Sequence, residues 1–188
     1  MPRQLSFSWL AILFEGALGV VAWILGWVLG QPPLQKLRWS AADAALGTLA
    51  TVPMLLMFLA CLRWPVGPLA RIKQLSEEVI KPLFAASSIP ELALVALAAG
   101  LGEEMLFRGL LQAYLVQWLQ IGPGIVIASV LFGLLHFITP TYAALATLLG
   151  LYLGWLFVSS ENLLTVVLAH ALYDFLALVY LIRFCPGE

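Results

Sequence analysis

Two adjacent glutamates, Glu103 and Glu104, stand five and four residues before Arg108 in one of the most apolar stretches of the chain, and both histidines, His136 and His170, also fall in apolar stretches. Ionisable groups at membrane depth are costly, so each one marks a functional site whose partner must be named. Glu104 and Arg108 are four residues apart with the acid first, which makes them stacked neighbours able to pair within one helix. Glu103 lies about 100° around that helix and has no local partner. A carboxylate neutralised by arginine is a poor base, whereas an unpaired one keeps the proton affinity that general-base work requires. The expected division of labour is that Glu103 acts while Glu104 and Arg108 hold the site together. Phe132 with His136, and His170 with Asp174, repeat the spacing of four, which sets each pair on one helical face. A carboxylate one turn from an imidazole can orient the ring and fix its tautomer, so Asp174 is expected to orient His170. An acid, two imidazoles and an orienting acid are the parts of a hydrolytic site. Two histidines and a glutamate could also hold zinc and leave an open position. No His-Glu-x-x-His helix is present to favour that alternative, and no cofactor is expected.

These groups need elements that carry them into an apolar medium. The 188 residues are 63% hydrophobic and 10% charged, whereas soluble domains are roughly 45 to 50% apolar and about 25% charged. The chain is therefore read as an integral membrane protein, all-α, a polytopic bundle in contact with the lipid bilayer. A net charge of -1 and scattered basic residues give no footprint for nucleic acid. Cys61 and Cys185 fit neither a disulfide framework nor a zinc knuckle, and both are expected to pack as small apolar groups.

A span needs about 20 apolar residues. Six segments approach this: 9–29, 44–62, 89–119, 122–138, 142–158 and 163–182. About six transmembrane helices are expected, in one membrane domain over 1–188. Residues 1–87 supply N-terminal helices and a connector, and 88–183 the catalytic core. The first run follows Arg3 but is longer than a signal-peptide core and lacks a cleavage site, so it is read as a retained span. Ser88-Ile89-Pro90-Glu91 forms a capping box at the start of the third segment. Thr139-Pro140 marks another start, with threonine as cap and proline at the first helical position. The connector holds Arg63, Arg71, Lys73 and Lys81, which puts it in the cytoplasm by the positive-inside rule, with both termini on that side. Within it, Leu69, Ile72, Leu75, Val79 and Leu83 recur opposite Lys73, Glu77, Glu78 and Lys81, the pattern of a short interfacial helix.

Glu-Glu-x-x-x-Arg, Phe-x-x-x-His and His-x-x-x-Asp, in that order on successive apolar helices, resemble the CPBP family of intramembrane proteases, also called the ABI or CAAX-protease-like family. That family includes Rce1-type enzymes and bacterial bacteriocin-processing and immunity proteins. The resemblance covers about residues 88 to 183 and implies a peptide hydrolase of the bacterial plasma membrane that forms no covalent intermediate. By similarity Glu103 and His136 bind and deprotonate the attacking water, and His170 and Asp174 stabilise the oxyanion, on a membrane-associated peptide or protein. In the Rce1-type enzymes the last motif position is usually asparagine, an amide that can itself donate; ionised Asp174 cannot, which returns it to orienting His170. Two other readings stand beside this one: a non-catalytic scaffold or immunity protein that uses the same polar cavity, and the zinc-dependent hydrolase.

Counting about 1.5 Å per residue, Glu103 and His170 lie roughly 20 Å from the cytoplasmic ends of their helices and His136 only about 5 Å from its own. A water-filled cavity opening to the cytoplasm would serve all four groups. Glu15 interrupts the first run close enough to Trp9 to be read as interfacial or as helix packing, and Trp23, Trp27, Trp118 and Trp155 are read as interface anchors or lipid-facing packing.

Overall fold

The computed structural model describes residues 7–185. Every regular element among them is helical. In chain order these are α1 (Phe7–Val28), α2 (Ala41–Arg63), α3 (Gly67–Phe84), α4 (Ile89–Leu119), α5 (Ile121–Leu135), α6 (Pro140–Ser160) and α7 (Leu163–Arg183). All six apolar segments are helical. Four of them, α1, α2, α6 and α7, are long and apolar enough to cross a membrane, and a fifth span results if α3 and α4, bent by 116°, count as one. With 15 residues, α5 rises only about 22 Å and falls short of a hydrocarbon core of about 30 Å. Trp23, Trp27, Trp118 and Trp155 are exposed, as lipid-facing or interfacial residues should be. Arg3 and both chain ends lie outside the described residues.

The starts of the helices follow the capping chemistry in the sequence. The Ser88 hydroxyl accepts from the Glu91 N–H and the Glu91 carboxylate accepts from the Ser88 N–H at 2.8 Å, closing the capping box. Thr139 Oγ1 accepts from the Tyr142 N–H at 3.1 Å, with Pro140 opening α6. These contacts satisfy donors that a helix N-terminus otherwise leaves orphaned.

The most enclosed helix is α7, which packs on α2 and α4, while α5 packs on α6. Four contacts put the start of α1, the end of α7 and the connector helix α3 on one side. Phe7 meets Phe84 edge to face, Ser8 shares a hydrogen bond with Ser87, Arg183 donates to the Ser87 carbonyl, and Lys81 donates to the Cys185 carbonyl. The expected connector helix is present with Ile72, Leu75 and Phe84 buried, but Val79 and Leu83 stay exposed. A wide π turn over Ser76–Ile80 explains the difference, because it shifts the inward face by one position, from Val79 and Leu83 to Ile80 and Phe84.

The shortness of α5 removes the mismatch in depth. Glu103 lies sixteen residues before the end of α4 at Leu119, about 24 Å. The chain then turns at Gln120 and α5 climbs back about the same distance, so His136, at its C-terminal cap, arrives level with Glu103. The helix stops level with Glu103, with Leu134 and Leu135 exposed on its outer side and His136 turned into the cavity.

Candidate active site

Glu103 and Glu104 end the α-helical first half of α4, and the next eight residues, Met105–Gln112, form a π-helical stretch. Such wide turns recur at functional sites because they re-aim side chains. Both glutamates are buried, and Arg108, one turn on, is 1% exposed. Arg108 Nη1 donates to Glu104 Oε1 at 2.9 Å, the pairing expected from their spacing. Its Nη2 donates to the Gly150 carbonyl of α6 at 3.0 Å, and the guanidinium lies 4.8 Å from the centre of the Phe132 ring. The arginine thus fastens three helices together.

Glu104 does more than pair within its own helix. Its Oε1 also meets His170 Nδ1 at 2.7 Å, across from α7. Asp174, expected to orient His170, does face Nε2, but at 3.4 Å, so Glu104 is the closer partner. Both ring nitrogens of His170 therefore face carboxylate oxygens, which a ring bearing N–H on both nitrogens satisfies. The close approach of α4 and α7 is fixed at Gly100, where a Cβ would stand 2.8 Å from the backbone N of Ala171.

On the other side of the site, His136 Nδ1 donates to the Phe132 carbonyl at 2.8 Å. A carbonyl only accepts, so the proton sits on Nδ1 and the lone pair of a neutral ring is on Nε2. Nε2 faces Glu103 Oε2 at 3.7 Å, too far for a direct hydrogen bond. Phe132 is the hub beneath both imidazoles, with ring centroids 4.4 Å from His136 and 6.2 Å from His170. Phe107 braces it edge to face at 4.9 Å.

Glu103, His136, His170 and Asp174 all line one cavity of about 560 Å³. Its walls are mostly apolar and aromatic, including Phe14, Met57, Phe58, Tyr142 and Tyr173, and α3 contributes Ile72, Ser76, Ile80, Leu83 and Phe84. The three motifs are thus brought together, with Glu103 and His136 on one side and His170 with Asp174 on the other. Among the described residues, no group of three or more His, Cys, Asp and Glu side chains is arranged to hold a metal ion.

The sequence reading missed Glu15. It lines the cavity together with Glu103, on a stretch of α1 that lies against α4 at Gly102. The signal was present in its position, eight residues beyond Phe7 and so about 12 Å along α1, too deep for a terminal interfacial residue. The second missed role is that of Glu104 toward His170, which no spacing within one helix reveals.

Residues 85–176 match the family model described as Type II CAAX prenyl endopeptidase Rce1-like. The Rce1-like segment contains all three polar motifs, from Glu103 to Asp174, while α1, α2 and α3 precede it. The chain is also similar to the uncharacterized protein YpbD of Bacillus subtilis (strain 168), at 33% identity over 101 residues. That alignment covers 50% of this chain and 47% of the relative, so the chain spans about half the length of the curated relative it matches. No solved structure matches. The Rce1-like match points to a protease, and the apolar helices to an integral membrane protein.

Proposed function

We propose that this protein is an intramembrane endopeptidase that cuts a membrane-associated peptide or protein with a water molecule activated by Glu103. The observation that carries the reading is the meeting of Glu103 and His136, from two different helices, at 3.7 Å on the wall of a cavity that His170 and Asp174 also line.

The geometry suggests how each group would act. Glu103 Oε2 and His136 Nε2 are both acceptors, so a water between them directs its two hydrogens at them and keeps a lone pair for attack. As the water oxygen bonds to the scissile carbonyl carbon, its proton passes to Glu103 and the carbonyl π electrons move to oxygen. His170, held through Nδ1 by Glu104, turns its Nε2–H from the more distant Asp174 carboxylate to that oxyanion, and a donor aimed at developing charge is usually the largest catalytic contribution. Collapse of the tetrahedral intermediate breaks the C–N bond, and the proton on Glu103 moves to the leaving amine. The remaining hydroxyl proton then passes by way of His136 to the amine, so the products are a carboxylate and an ammonium group, and no covalent enzyme intermediate is required.

Arg63, Arg71, Lys73 and Lys81 around α3 support a cytoplasmic setting for that side of the bundle, and so for the peptide's entry. A metal-free mechanism is part of the proposal. The deciding experiment compares membrane peptide profiles of cells carrying the wild-type protein and Glu103→Gln, a near-isosteric change that removes the base. Peptides that accumulate only with the variant identify the substrate class. Identical profiles, with the variant folded and inserted, would leave a non-catalytic scaffold as the better reading.

A further inference from the structure

The catalytic motifs all lie in residues 85–176, yet the cavity contains a carboxyl group from outside that segment. Glu15 is carried there by a direct backbone approach of α1 to α4. A Cβ on Gly102 would collide with the Glu15 carbonyl oxygen, and one on Gly19 would lie 3.6 Å from the Gly102 Cα. Only because residue 102 lacks a side chain can α1 lie against α4 immediately beside Glu103. The result is a carboxyl group of α1 that lines the same cavity as the carboxyl group of Glu103.

Among the described residues, the Oε2 atoms of both groups are buried without a hydrogen-bond donor. Two bare carboxylates buried on the wall of one cavity repel, and neither can donate to the other. One proton held between them removes both problems: the protonated acid donates, the other accepts, and a single negative charge remains. Aspartic proteases place two carboxyl groups around one proton for the same physical reason.

We propose that Glu15 is a positioning residue for the hydrolytic centre, the acid that donates a hydrogen bond to the Glu103 carboxylate and fixes its free oxygen toward His136. The proposal rests on the reading of Glu103 as the base. Glu15 is the shared-proton partner, and α1 is part of the machinery rather than a passive anchor. Without this bond the Glu103 carboxylate can rotate away from the water it shares with His136, and misplacement by about 1 Å costs on the order of a hundredfold in rate.

Two measurements on the full chain in lipid nanodiscs test this. The first is the infrared carbonyl stretch of a protonated, hydrogen-bonded carboxyl group. It is expected in the wild type and is expected to vanish or shift in Glu15→Gln; its absence from the wild type, or an unchanged band in the variant, overturns the proposal whether or not any substrate is known. The second is turnover of an internally quenched peptide bearing a farnesylated CAAX end. Glu15→Leu is expected to lower kcat by about tenfold to a hundredfold with KM little changed. Glu15→Gln, whose amide can still donate to Glu103, recovers part of the loss. Full activity in Glu15→Leu beside an inactive Glu103→Gln overturns the role of Glu15 alone. Cleavage retained by Glu103→Gln, or no cleavage by the wild type, counts against the protease reading, and the infrared result then decides on Glu15 by itself.

Discussion

Replacing Arg108 with methionine keeps much of the side-chain volume and deletes the charge. The guanidinium is 1% exposed and makes a charge-assisted bond to Glu104 at 2.9 Å, a bond to the Gly150 carbonyl at 3.0 Å and a face contact with Phe132 at 4.8 Å. Removing one partner of a buried ion pair costs about 3 to 5 kcal/mol, because the remaining charge is left without compensation. Here His170 Nδ1, at 2.7 Å from the same Glu104 oxygen, can take up part of that charge. The expected loss is therefore near the lower limit, about 3 kcal/mol. The assay is reversible unfolding by SDS in mixed micelles, followed by tryptophan fluorescence, for Arg108→Met, Glu104→Gln and the double variant. If the orphaned charge is the origin of the loss, the double variant is less destabilised than the sum of the singles by at least about 1 kcal/mol. Strict additivity, or a loss below about 1 kcal/mol for Arg108→Met, would refute the account. Arg108→Lys serves as the internal comparison: it keeps the charge but cannot bridge Glu104 and Gly150 as a fork, so an intermediate loss is expected.

Three further outcomes follow from the same geometry. Glu103→Gln and His136→Ala should each lower cleavage by at least about a hundredfold, the typical contribution of a general base, with unchanged unfolding in micelles; near-normal cleavage by either would remove that residue from the water site. Gly102→Ala should destabilise by about 1 to 3 kcal/mol, since the added methyl group meets the α1 backbone rather than a flexible side chain; an unchanged midpoint of unfolding would contradict the close approach. Cleavage should survive prolonged exposure to strong chelators, and activity lost to chelation and regained with zinc would favour the metal-dependent alternative.

The helices and their capped starts were legible because they depend on local facts. Apolar length gave the six segments, and Ser88 with Glu91 and Thr139 with Pro140 gave two N-termini. The pairing of Glu104 with Arg108 was legible too, being a neighbour relation within one helix. What stayed hidden is tertiary or depends on departures from the regular helix. The bond from Glu104 to His170 joins residues 66 apart in the chain, and only the packing of α4 on α7 at Gly100 creates it. The depth of His136 depended on where α5 stops, and an apolar run does not announce where its helix ends. Glu15 was read as interfacial or as helix packing because one acid near the end of a run can reach water; its place on the cavity wall depends on the absence of a side chain at Gly102. The shift from Val79 and Leu83 to Ile80 and Phe84 came from a π turn that a regular repeat of 3.6 cannot anticipate.

The π-helical stretch Met105–Gln112 makes α4 two rods joined at a wide coil; the first rod bears the acids, and the coil itself carries their counter-charge Arg108 and the Gln112 amide that donates to the Gly154 carbonyl at 3.0 Å. Tightening that coil to an ordinary α-helix without changing its length would rotate everything beyond it about the helix axis and carry Arg108 and Gln112 away from the Gly150 and Gly154 carbonyls. The width of the coil, as much as the residues in it, thus sets which side chains can meet. Among natural variants of this chain, conservative substitutions in Met105–Gln112 outside Phe107, Arg108, Gly109 and Gln112 should be accepted far more readily than changes at those four positions.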